Sequence, residues 1–333
     1  MRKITILGFV IALALMLFLS GCGEGSEPNG DNSYVGGTDA LLIDFQEGQP
    51  PEEIFDQGTT TFIVGVILQN EGEHDIDYES DFDYGRLTLR GVNPSDYDIT
   101  ARELVLEFDN PDNVVFIPGY LKQSVDNTVI KGGMQAITFP IMSYQNDLQG
   151  NNKVTIGVDL CYNYKTKSST GICFVDDVQN LNNRCDPYGE KITMNSGGPI
   201  HVKSVTQSYL GGDKLHLTIL LSKVNEDGTV FNKIDKSSVT WENNVCEDTP
   251  ANTDKNKVFV EVYTPDATTE IKCSEFGNTA EGVISLSNGK DKILTCSIDV
   301  AETVQDYETP LYVDLSYSYG QYTEKQITIK DYQ

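Results

Sequence analysis

Val158-Asp159-Leu160-Cys161-Tyr162-Asn163-Tyr164 returns 155 residues later as Val313-Asp314-Leu315-Ser316-Tyr317-Ser318-Tyr319, five of seven positions being identical. Apolar and tyrosine side chains occupy every second position in both segments, the period of a strand with one face buried. The match continues at the same offset, placing Ile172 on Ile327, Phe174 on Ile329 and Asp176 on Asp331. Equal spacing over so long a stretch points to tandem duplication of one unit. Earlier in each half lies another β-like segment, Phe62 to Leu68 and then Leu215 to Ile219, in which Leu215, Leu217 and Ile219 alternate with His216 and Thr218.

The same alternation, broken by Gly, Asn, Asp and Pro clusters, predicts strands over 40–45, 61–69, 85–92, 102–108, 135–142, 153–164 and 171–175. The second copy repeats them over 200–209, 214–222, 257–263, 282–286, 292–298, 310–319 and 323–330. About seven strands in roughly 140 residues is the count of an immunoglobulin-like sandwich. The expected fold is therefore all-β, two tandem immunoglobulin-like antiparallel β-sandwiches over residues 38–195 and 196–333. Gln49-Pro50-Pro51-Glu52 would interrupt ladder pairing and carry the first strand from one sheet to the other.

Ahead of these units, Met1-Arg2-Lys3 is followed by an apolar run from Ile4 to Leu19 and then Ser20-Gly21-Cys22. Cations, an apolar core and small residues before a cysteine form a secretory signal peptide, residues 1–21. The pattern resembles the lipobox of prokaryotic lipoproteins, which implies a lipid on Cys22 and display on the outer face of the cytoplasmic membrane. Residues 22–37, rich in Gly, Ser, Asn and Asp, read as the lipidated cysteine and a flexible linker.

The chain of 333 residues has a net charge of −26. So acidic a surface repels phosphate, which argues against nucleic acid as a partner. Six cysteines besides Cys22 suit three disulfides in an exported protein, with 15 possible connectivities. If the chain turned through Lys165 to Ser169, Cys161 would face Cys173 across a hairpin, and Ser316 with Thr328 would replace both in the second copy. Cys273 and Cys296 lie in neighbouring strand-like segments, leaving Cys185 with Cys246 by elimination. Three of the six precede Asn195, so at least one bond must cross between the halves.

No motif of a hydrolase, nucleotide enzyme or zinc site is present, and His74, His201 and His216 stand apart from any catalytic pattern. The expectation is a non-enzyme with no cofactor. One candidate ion site is the acidic segment Asp75, Asp77, Glu79, Asp81 and Asp83, whose alternating carboxylates would share one side of a strand and could collect Ca²⁺. Asp109 with Asp112 and Asp176 with Asp177 are lesser acidic candidates. The tyrosines of the repeated face read as core.

The segments Phe62 to Leu68, Asn70-Glu71-Gly72, Gly85-Arg86-Leu87-Thr88-Leu89 and Cys161 to Thr166 are similar to uncharacterised archaeal-type surface proteins with tandem immunoglobulin-like domains. The resemblance implies an envelope protein of sandwich modules and supplies no catalytic residues. The expected function is a lipid-anchored, non-catalytic binding, adhesion or envelope-structural module whose partner is another envelope or surface protein. The alternative is a lipoprotein that captures a carbohydrate or Ca²⁺ for an envelope enzyme or transporter.

Overall fold

Asn152–Phe174 is one uninterrupted strand of 23 residues, and Tyr307–Lys330 is another of 24. The turn expected through Lys165 to Ser169 does not occur. Thr166, Ser168 and Thr170 continue inward from Tyr162 and Tyr164, and each hydroxyl finds a partner: Tyr317 Oη at 2.6 Å, Met194 O at 3.0 Å and Ile192 O at 2.7 Å. A satisfied hydroxyl can be buried at little cost, so β-branched and small polar residues extend the strand where a polar run suggested a loop.

The computed structural model describes residues 34–77, 80, 83–108, 116–123, 126–175, 185–210, 214–232, 246, 252–266, 269–300 and 306–333. Twelve strands define the architecture. In the first half they are β1 (Leu41–Phe45), β2 (Gly65–Asn70), β3 (Gly85–Arg90), β4 (Val105–Glu107), β5 (Met134–Thr138) and β6 (Asn152–Phe174). In the second they are β7 (Ile200–Leu210), β8 (Lys214–Lys223), β9 (Lys257–Tyr263), β10 (Glu281–Ser285), β11 (Asp291–Asp299) and β12 (Tyr307–Lys330).

Both halves use these strands in the same way. A small sheet pairs the first, second and fifth of each set, β1-β2-β5 and β7-β8-β11, all antiparallel. The remaining three of each set join one large sheet in the order β10-β9-β12-β6-β3-β4, which reads equivalently from either end. At its centre β6 and β12 pair antiparallel along their whole length, Tyr162 opposite Tyr319 and Tyr164 opposite Tyr317. The two repeated segments are thus neighbours in one sheet. A boundary at 195/196 falls within a single compact unit and does not separate two bodies.

The proline pair does redirect the chain. Leu41–Phe45 pairs with β2 in the small sheet, whereas Glu53–Phe55, just past Pro50 and Pro51, lies parallel to β12 in the large one. The expected strand over 102–108 is shortened to β4. Thr100 and Glu103 form a capping box that winds Ala101–Leu104 into a 3₁₀ turn first.

Leu41, Val66 and Leu68 from the first small sheet, and Leu217, Ile219 and Leu294 from the second, belong to one continuous core with Val158, Leu160, Val313 and Leu315. Its middle is aromatic. Tyr162, Tyr164 and Tyr317 have no exposed surface, and their rings meet at 6.0 to 6.2 Å between centroids within a set that includes Tyr319. Buried phenols need partners. Tyr162 Oη accepts the Leu41 N–H at 3.0 Å, while Tyr164 Oη accepts the His74 N–H and donates to Gly197 O, both at 3.2 Å.

Candidate functional site

Among the described residues three disulfides are formed, Cys161–Cys246, Cys173–Cys185 and Cys273–Cys296. The last agrees with the sequence reading, and Cys161–Cys246 is the bond that crosses between the halves. The pairings Cys161 with Cys173 and Cys185 with Cys246 are corrected. Without a hairpin, Cys161 and Cys173 lie twelve residues apart on one extended strand, about 40 Å at the usual rise, far beyond disulfide reach.

Cys161 and Cys246 border a groove of about 300 Å³ on the outer face of the large sheet. The strands place its lining directly. Asp159 and Cys161 project from β6 on the face opposite the tyrosines, Arg86 and Thr88 from β3, and Tyr322 from β12. Arg90 Nε contacts Asp159 Oδ2 at 2.7 Å, and the Arg90 guanidinium lies 5.2 Å from the centre of the Tyr322 ring. Burial pushes the Asp159 carboxyl up, against the pull of Arg90 in the other direction. Tyr322 keeps 61 % of its surface exposed. An exposed ring beside guanidinium and carboxylate groups offers a surface on which a flat ligand face can stack while its rim is hydrogen-bonded. The sequence placed Asp159 and Cys161 on this face; Arg86 and Tyr322 became legible only through register.

Of the acidic segment, Asp75, Asp77 and Asp83 lie among the described residues. Ile76–Asp77 is strand, paired with Phe116–Ile117, and the Ser80 N–H donates to Asp77 O at 2.9 Å. Asp75 Oδ1 accepts the Gly119 N–H at 2.7 Å. Asp83, nearly buried, folds back to His74 Nε2 at 2.7 Å and to the Asp77 N–H at 3.3 Å. These carboxylates tie loops together. Glu79 and Asp81 lie outside the described residues, as do Cys22, Asp109, Asp112, Asp176 and Asp177.

One acidic grouping was not foreseen. Asp56, Asp147 and Asp331 bring carboxylate oxygens within 4.8 Å of one another, although they are far apart in sequence. Asp56 is fully buried, and its two oxygens already accept the N–H groups of Leu148 and Tyr332, each at 2.8 Å. Its evident work is to fasten the C-terminal residues to the loop after Met142–Ser143.

Glu73 has a similar role near Tyr164. It accepts the N–H groups of Val35 and Gly36 at 2.8 Å each and that of Gly197 at 2.6 Å. The last residues of the expected linker are therefore seated on the body, and Gly198 N–H donates to Gly37 O at 3.1 Å beside them.

Comparison with protein-family models and with curated proteins returns no match. Among the described residues no helix is long and apolar enough to cross a membrane.

Proposed function

We propose that this chain is a lipid-anchored cell-surface protein acting as a non-catalytic binding, adhesion or envelope-structural module. The observation that carries this reading is the trio of disulfides within one nearly all-β unit, which suggests an oxidising, extracytoplasmic setting. The lipobox-like Leu19-Ser20-Gly21-Cys22 then supplies the anchor, and Glu73 holds the tether where it meets the body. Each half is read as immunoglobulin-like, with β1-β2-β5 and β4-β3-β6 in the places of strands A-B-E and C′-C-F. Among the described residues the strand that would follow F has no counterpart within its own half; the other half's long strand stands there.

Capture of a carbohydrate is the second reading, favoured by the exposed Tyr322 ring among Arg86, Thr88 and Asp159. Two experiments test the pair. Mass spectrometry of the mature protein is expected to find a lipid thioether on Cys22, with Cys22→Ser exported but lost from the membrane fraction; an unmodified N-terminus on the mature chain refutes the anchor. Crosslinking on intact cells is expected to recover one reproducible envelope protein, whereas glycan binding abolished by Tyr322→Ala would favour the second reading.

A further inference from the structure

We propose that two copies of this chain associate edge to edge through β5, antiparallel about a two-fold axis at Ala136, joining β1-β2-β5 of each into one six-stranded sheet. The inference concerns the folded body and holds whether or not Cys22 carries lipid.

The ladder shows what β5 leaves unused. Asn70 N–H donates to Gly133 O and Phe139 N–H to Val64 O, both at 2.9 Å. Alternate residues of an antiparallel strand turn their main chain to alternate sides, so Gln135 and Ile137 bond to β2 while Met134, Ala136 and Thr138 face the open edge. Among the described residues no group covers that edge. All three side chains are exposed, Met134 to 67 %.

The other edge of this sheet is partly engaged. By the same parity Leu41, Ile43 and Phe45 of β1 face outward, but Leu41 is capped by Tyr162 Oη and the Gln321 amide, and the Phe45 N–H by Asp44. The equivalent of β5 in the second half is also covered. Ile271–Cys273 pairs antiparallel with β11 there, and the Cys273–Cys296 bridge fixes it. This strand position therefore accepts an added antiparallel strand in one half and lacks one in the other.

Charge and symmetry select a second copy as the occupant. From Thr128 to Asn146 the only charged side chain is Lys131, in a chain of net charge −26. Two copies repel each other over most of their surface and least here. Met134 to Thr138 contains none of the lysines, prolines or acids that usually blunt an edge strand. A two-fold pairing places Ala136 opposite Ala136 and Met134 opposite Thr138, consuming both β5 edges, and the caps on Leu41 and Phe45 disfavour the same addition at β1.

The test uses the full chain extracted in detergent, followed by sedimentation and by oxidative crosslinking. The parent is expected to be a dimer that tightens as salt screens its acidic surface. Ala136→Pro removes an N–H that β2 does not use, so it is expected to keep the parent's far-UV circular dichroism and weaken the dimer at least about tenfold. Ala136→Cys is expected to give a disulfide-linked dimer absent from the unsubstituted chain, and Thr138→Cys, lying opposite Met134, is not. A parent that stays monomeric in high salt, an Ala136→Pro chain that dimerises like the parent, or equal crosslinking of both cysteine variants overturns the proposal. None of these outcomes bears on lipidation of Cys22.

Discussion

Asn163 and Ser318 face each other at the centre of the long strand pair, where the Ser318 hydroxyl donates to Asn163 Oδ1 at 2.7 Å, and both residues are fully buried. They are separated by 155 residues, the offset of the repeat itself, so each residue here pairs with its own duplicate. Register on either side is symmetrical about them. A buried pair of this kind couples energetically, because truncating one removes a hydrogen bond that the other also makes. Asn163→Ala and Ser318→Ala are expected to destabilise by about 1–3 kcal/mol each, with the double variant costing less than their sum, as read by a denaturant double-mutant cycle.

The three bridges should differ in worth by loop length. Cys161–Cys246 spans 85 residues, Cys273–Cys296 spans 23 and Cys173–Cys185 spans 12. The chain-entropy relation gives about 4.6, 3.4 and 2.8 kcal/mol respectively, so serine replacement of each pair should lower the urea midpoint in that order. Peptide mapping of the unreduced protein is expected to recover these pairs and no Cys161–Cys173 peptide.

Burial pushes the phenols of Tyr162, Tyr164 and Tyr317 well above the ordinary tyrosine value. Below about pH 10 these groups are protonated in folded and unfolded chains alike, and their contribution is complete. Above it the unfolded chain releases protons that the folded chain retains, so stability falls as pH rises, by up to about 1.4 kcal/mol per pH unit for each phenol. Absorbance at 295 nm should show these three ionising only together with loss of circular dichroism.

Glu73→Ala should release the tether without unfolding the body. Three main-chain N–H groups lose their acceptor, yet Val35 and Gly36 lie at the margin of the fold. Limited proteolysis is expected to cut within 34–38 several times faster than in the parent, while the melting temperature of the remainder changes little.

Calcium is expected to leave the melting temperature unchanged, and chelation likewise. Asp75, Asp83 and Asp56 already accept protein donors, and an ion would have to displace those bonds. A calcium-dependent rise in melting temperature that Asp75→Asn removes would reinstate the acidic segment as a site.

Strand content was legible because period-two burial is a local signal: β3, β8, β9 and β11 lie within a residue or two of where alternation puts them. The inward direction of Tyr162, Tyr164, Tyr317 and Tyr319 was legible for the same reason. What escaped was decided by partners distant in sequence. Lys165 to Ser169 reads as a turn until Tyr317 and Met194 are seen to satisfy Thr166 and Ser168, and the disulfides near it were misassigned as a consequence. The groove escaped because Arg86 and Tyr322 meet only through the pairing of β3 and β12 with opposite sides of β6. Asp56, Asp147 and Asp331 were hidden likewise, each being unremarkable in its own neighbourhood.

The palindromic order of the large sheet has a bearing on how such a protein could arise. A half-length chain with one set of six strands would leave its longest strand unmatched and could complete the layer only by meeting an identical molecule. Covalent linkage replaces that encounter with an intramolecular one of high effective concentration, so assembly ceases to depend on abundance. It also frees the halves to diverge, and the crossing bridge at Cys161, where the second half has Ser316, is a difference that no symmetric pair of identical chains could possess.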